Sequence, residues 1–129
     1  IDLDINCTAD NNSVADDPTA WDVYAMANVQ APTGDPEYWF TVFATSDATR
    51  NQGKYSSEKL DELEKELSTE FDIEKRAELA VQMQQTVLDD HAFVFCSFLK
   101  MSMISKANVT GYESHACDYY QVTADLDIN

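Results

Sequence analysis

Gly34-Asp35-Pro36-Glu37-Tyr38-Trp39-Phe40-Thr41-Val42-Phe43 is the stretch around which the chain is organised. Gly34 tolerates a positive φ, Asp35 can bond its own backbone, and Pro36 presets φ for a helical first turn. The triplet therefore predicts a tight turn leading into a helix, with the Asp35 carboxylate serving the turn. Tyr38, Trp39, Phe40 and Phe43 place four aromatic rings within six residues. Rings at that density cannot all enter one small core, so at least one is expected to line a concave surface or a domain interface.

Working toward the C-terminal side, residues 46–53 read as an exposed polar loop. Ser57 is placed to cap a helix that begins Glu58-Lys59-Leu60-Asp61, with its acids near the positive helix end. Leu60, Leu63 and Leu67 recur at i, i+3 and i+7 and form its apolar stripe. Asp72 is placed to cap a second helix, whose stripe is Ala80, Met83 and Val87, widened by Leu79 and Leu88. The short connection favours antiparallel neighbours. His91 follows Leu88-Asp89-Asp90 at the helix C-terminus, where a cationic side chain is favourable.

The flanks read as strands and loops. Ile1, Leu3 and Ile5 alternate with polar residues at the period of a half-buried strand, and Asp2-Leu3-Asp4-Ile5-Asn6 recurs as Asp125-Leu126-Asp127-Ile128-Asn129. A calcium loop beginning Asp2-Leu3-Asp4-Ile5-Asn6 would need glycine and glutamate where Cys7 and Ser13 stand. Residues 8–19 read as a surface loop and residues 21–29 as a buried strand. Residues 93–104 predict one bent strand or two short ones, interrupted by Lys100, with Cys96 as a small buried hydrophobe. Asn108 to Gly111 reads as a turn, and residues 119–122 as a last short strand.

The 129 residues suit one domain, and 44% hydrophobic content is ample for a core. With 24 acids against 8 bases, the formal charge of -16 repels nucleic-acid phosphates and anionic lipid head groups, which excludes both as partners. Cys7, Cys96 and Cys117 contain no Cys-x-x-Cys pair and allow at most one internal disulfide. His91 and His115 lack a nucleophile or a helical zinc-binding partner nearby, and His115 with Cys117 lacks a third metal ligand, so neither catalysis nor a cofactor is expected.

The run from Gly34-Asp35-Pro36 through Tyr55-Ser56-Ser57-Glu58-Lys59-Leu60-Asp61, then Asp72-Ile73-Glu74-Lys75-Arg76, Leu88-Asp89-Asp90 and Asn108-Val109-Thr110-Gly111-Tyr112, resembles family 5 solute-binding proteins of ABC importers. Order and spacing carry the resemblance, along nearly the whole chain. Members are usually several times longer, so residues 1–129 look like most of a C-terminal lobe. The resemblance implies an α/β lobe of type II periplasmic-binding-protein architecture, a mixed sheet covered by two central helices. It implies an extracytoplasmic receptor, membrane-anchored as a lipoprotein through a missing N-terminus. The receptor would capture a peptide or nickel chelate between two lobes and deliver it to the permease subunits.

Gln30, Tyr38, Trp39 and Asn51 are the expected ligand contacts. Two departures bear on the solute. The residues before the turn, Gln30-Ala31-Pro32-Thr33, lack the acid that peptide receptors of the family often pair with the ligand's ammonium group. Ala31-Pro32 and Ser105-Lys106 look more like the nickel-chelate branch, yet residues 43–53 lack the histidine that some nickel receptors carry. The alternative reading is a stand-alone acidic interaction module that grips a basic partner with the helix pair 58–90.

Overall fold

The aromatic stretch and the two stripes become three helical elements. They are α1 (Glu37–Trp39), running without a break into a π-helical turn over Phe40–Ala44, α2 (Glu58–Leu67) and α3 (Ile73–Asp89). Two strands follow, β1 (Val109–Thr110) and β2 (Asp127–Ile128), paired antiparallel with Val109 opposite Ile128 and Thr110 opposite Asp127. The computed structural model describes residues 2–10, 14–100, 102–113, 115 and 122–129.

The turn forms as its chemistry dictates. Gly34 takes a φ of +84°, Pro36 is already helical, and the Asp35 Oδ1 accepts the Glu37 N–H at 2.9 Å. After Trp39 the coil widens, so that the Thr45 N–H reaches the Phe40 carbonyl five residues back at 3.0 Å. That widening is typical of π turns inside helices, which often mark functional positions. Thr45 then leaves in an extended conformation.

α2 and α3 pack against each other through the expected stripes. Leu60, Leu67, Met83 and Val87 are wholly buried, joined by Phe40, Ala44 and Leu79, with Leu63, Tyr55, Trp39 and Phe93 around them. Each large apolar side chain removed from water contributes about 1.5–3 kcal/mol, so this cluster anchors the fold. Leu88, expected to widen the α3 stripe, lies half exposed instead. It is adjacent in sequence to the buried Val87, and neighbouring residues on a helix point in different directions.

The caps divide. Asp72 accepts the N–H groups of Glu74 and Lys75 at 3.1 and 3.0 Å, as a helix N-cap should. Ser57 occupies the cap position of α2 without a side-chain bond to the helix. The other end of α3 closes at Asp90, and His91 takes a φ of +54° with its Nδ1 2.6 Å from the Asp89 carbonyl oxygen. A left-handed residue after the last turn is a common helix stop.

The strand expectations largely fail. Residues 2–6, 21–29 and 93–100 pair with no other strand among the described residues, and Leu3, Ile5, Val23, Val94 and Phe98 are exposed. Alternation and apolar runs report where a side chain would be buried, but a strand also needs a neighbour to satisfy its backbone groups. Cys96, expected inside, is an exposed free thiol for the same reason. The Asn108 to Gly111 turn is displaced: the turn falls at 107–108 and Val109–Thr110 is β1. The mixed sheet expected over the helices is not present among the described residues, whose only sheet is β1 with β2. The strand expected at 119–122 and the thiol of Cys117 lie outside the described residues.

Candidate functional site

Arg76, in the first turns of α3, locks the aromatic stretch to the helix pair. Its Nη2 donates to both Asp35 oxygens and to Glu37 Oε2, each at 2.9 Å, while Nη1 donates to the carbonyls of Leu67 and Glu70 at 2.7 and 2.8 Å. One guanidinium thus ties the Gly34 turn, α1, the end of α2 and α3 together. The planar fork of arginine suits that geometry and a lysine could not reproduce it. Its bonds to Glu37 and Asp35 hold the guanidinium pKa above its usual value. Asp35 therefore serves the turn, as expected, and also this ion cluster, which leaves it committed within the protein.

Trp39 sits at the centre of a ring cluster. Its centroid is 5.2 Å from Phe93 and 5.3 Å from Phe40, both edge-to-face, 5.5 Å from Phe95 and 6.3 Å from Phe43. Tyr55 joins edge-to-face on Phe93 at 6.0 Å, and its hydroxyl donates to Asp90 Oδ2 at 2.5 Å. Burial, with the Asp90 bond, raises the Tyr55 pKa. Phe40 and Phe43 are buried, whereas Trp39 is half-buried, Tyr38 is 36% exposed and Phe95 50% exposed. Some rings thus face inward and others outward, leaving an apolar wall with a phenol hydroxyl at its edge. Such a wall can stack on planar groups and exclude water from one side of a solute.

Tyr38 and Trp39 are neighbours on α1, but Trp39 alone of the two touches the ring cluster, and Tyr38 is exposed beside it. Asn51, expected at the ligand, is 8% exposed and holds the loop from within. Its Nδ2 donates to the Thr45 and Tyr55 carbonyls at 3.1 and 2.6 Å, and its Oδ1 accepts the Tyr55 N–H at 2.9 Å. The loop it was read from is exposed at Ser46 and Gly53 but wraps inward at Asn51. Gln30 is exposed in the irregular segment before Gly34 and has no hydrogen bond to the other three among the described residues.

Phe93, Phe95, Tyr55 and Arg76 complete the site, and none stood among the expected contacts. Phe93 and Phe95, two apart in the irregular segment after α3, both touch Trp39, as period-two spacing could have suggested. Arg76 meets Asp35 across 41 residues, which no local pattern shows.

Two hollows lie elsewhere on the described residues, and no ring of the Trp39 cluster lines either. One of about 100 Å³ is lined by residues including Ala15, Pro18, Ala48, Asn51 and Lys54. A second, of about 440 Å³ but open to solvent, lies over Ala77, Val81 and Gln82 on α3. Enclosed solute sites usually run to about 300–1,000 Å³. Among the described residues no three His, Cys, Asp or Glu side chains converge as metal ligands, and no helix is long and apolar enough to cross a membrane. In comparisons with known proteins, no family model, curated protein or solved structure matches the chain.

Proposed function

We propose that the chain is one lobe of a two-lobed, extracytoplasmic solute-binding protein of an ABC importer. It presents the Trp39 wall to a solute that a second lobe covers, and the closed receptor docks on the permease subunits. The observation that carries this reading is the half-exposed pair Trp39 and Phe95, whose rings touch at 5.5 Å, with Phe95 in an apolar run whose Val94, Phe98, Leu99 and Ile104 are exposed. Contiguous apolar surface of this kind marks a binding or assembly face.

The solute is a peptide or a nickel chelate, held chiefly by stacking and amide contacts. Asp35 and Glu37 share the single guanidinium of Arg76, which partly offsets their charge toward a ligand ammonium group. Gln30, exposed before the turn, can supply an amide. Asn51 acts at one remove, by fixing the Tyr55 backbone beneath the Phe93 ring.

Trp39→Ala in the two-lobed receptor tests the reading. Loss of a stacked anchor should weaken binding by about 1–3 kcal/mol, read by titration calorimetry against Trp39→Phe, which keeps a ring. Equal affinity in all three proteins would remove the wall from the solute site. Tight binding of a basic partner to residues 58–90, with no solute bound, would favour the stand-alone acidic module.

A further inference from the structure

Asp-Leu-Asp-Ile-Asn occurs twice in this chain, and the two copies stand in different environments. Residues 125–129 lie against β1, with the Asn129 N–H on the Asn108 carbonyl at 2.9 Å and the Asn129 Nδ2 on Thr110 Oγ1 at 3.0 Å. Leu126 is half-buried there. Gly111, at a φ of +76°, admits the crossing chain, since a Cβ on it would stand 1.7 Å from the Asp125 carbonyl oxygen. Residues 2–6 carry the same side chains in the same order without a strand partner among the described residues; Leu3 is 79% exposed where Leu126 is half-buried, while Ile5 and Ile128 are both exposed.

We propose that the edge formed by Val109, Thr110 and Gly111 is a seat for this pentapeptide, and that residues 2–6 of the same chain exchange with residues 125–129 on it. In the exchanged state Ile5 lies opposite Val109 and Asp4 opposite Thr110. Asn6 makes the two bonds of Asn129, and the Asp2 carbonyl crosses Gly111. The contacts are identical by sequence, so the balance is set by chain connectivity. The loop from Val109 to Ile128 spans 19 positions and that from Ile5 to Val109 spans 104. Closure cost grows as about the three-halves power of loop length, which favours the nearer copy by roughly tenfold. Residues 2–6 are thus the minor occupant of a two-state edge.

Disulfide trapping in the full chain tests this, with the three native cysteines replaced by serine. Val109→Cys combined with Ile128→Cys reports the major state and with Ile5→Cys the exchanged one. Val109→Cys with Asp4→Cys is the register control, because a one-residue slip turns the side chain to the other face. Linkage in monomers from position 5 is expected at about a tenth of the rate from position 128 and at least fivefold above position 4. It should rise toward the major rate when Leu126→Gly and Asn129→Gly weaken the near copy. On the unsubstituted chain, saturation-transfer NMR should find a minor state in which the Ile5 amide takes the shift of Ile128. Linkage from position 5 no faster than from position 4, linkage only between copies, or no such minor state would each overturn the exchange.

Discussion

Replacing Asn51 with alanine removes an amide that makes three bonds to the backbone, at 3.1, 2.6 and 2.9 Å. Two carbonyls and one N–H then lose their partner. Water can reach part of the Tyr55 backbone, which is half-buried, but little of Thr45, which is 3% exposed. An orphaned buried group costs about 1–3 kcal/mol, so with partial rescue by water the total is about 2–3 kcal/mol. For a chain of this size that corresponds to a fall in melting temperature of roughly 6–15 °C.

Asn51→Asp sharpens the test. It keeps the acceptor for the Tyr55 N–H but turns a carboxylate oxygen toward two carbonyl oxygens, which disfavours the charged form in the folded state. The folded-state pKa of that carboxyl is then raised above its unfolded value of about 3.9. The folded state binds the proton more tightly, so the defect is full above the folded pKa and shrinks as pH falls toward the unfolded one. Thermal melts from pH 4 to 8, followed by circular dichroism, measure both effects. An Asn51→Ala melting temperature within 2 °C of the parent would refute the structural role and return Asn51 to the set of free ligand contacts.

Met83→Ala, at a wholly buried position between α2 and α3, should cost about 2–5 kcal/mol in denaturant unfolding. A loss below 1 kcal/mol would mean that the helix pair is not the anchoring core. Glu64 has its pKa raised by burial and then by the charges of Glu37, Asp47 and Asp61. Its folded state holds the proton more tightly, so this group makes stability fall as pH rises from near its unfolded value through the folded one. Glu64→Gln should flatten that decline and leave the chain slightly more stable at pH 7. A steeper decline in the variant would contradict this assignment.

The helices were legible because their information is local. The stripes Leu60, Leu63, Leu67 and Ala80, Met83, Val87 repeat at helical spacing, and the Asp72 cap bonds groups two and three residues away. The Gly34-Asp35-Pro36 turn was legible for the same reason. Residues 93–100 were not, because an apolar run specifies a buried strand only once another strand or layer covers it. The site was half legible. Density of rings singled out Tyr38 and Trp39, but the packing of Trp39 on Phe93 and Phe95 and the Arg76 bonds to Asp35 join residues far apart in sequence. Asn51 was visible as a polar loop residue, and only the folded loop shows its amide turned onto its own backbone.

The central claim is that this chain supplies one wall of a divided solute site. Titration calorimetry with peptides, free nickel and nickel-histidine mixtures, on this chain alone and on the two-lobed receptor proposed to contain it, tests that most directly. A receptor binding at 1 μM has about -8.2 kcal/mol of binding free energy, and loss of half of it leaves roughly millimolar affinity. The account predicts no saturable heat from the chain alone at micromolar concentration and saturable heat from the receptor with one of these solutes. Stoichiometric micromolar binding by the chain alone, or none of these solutes binding the receptor, would contradict it.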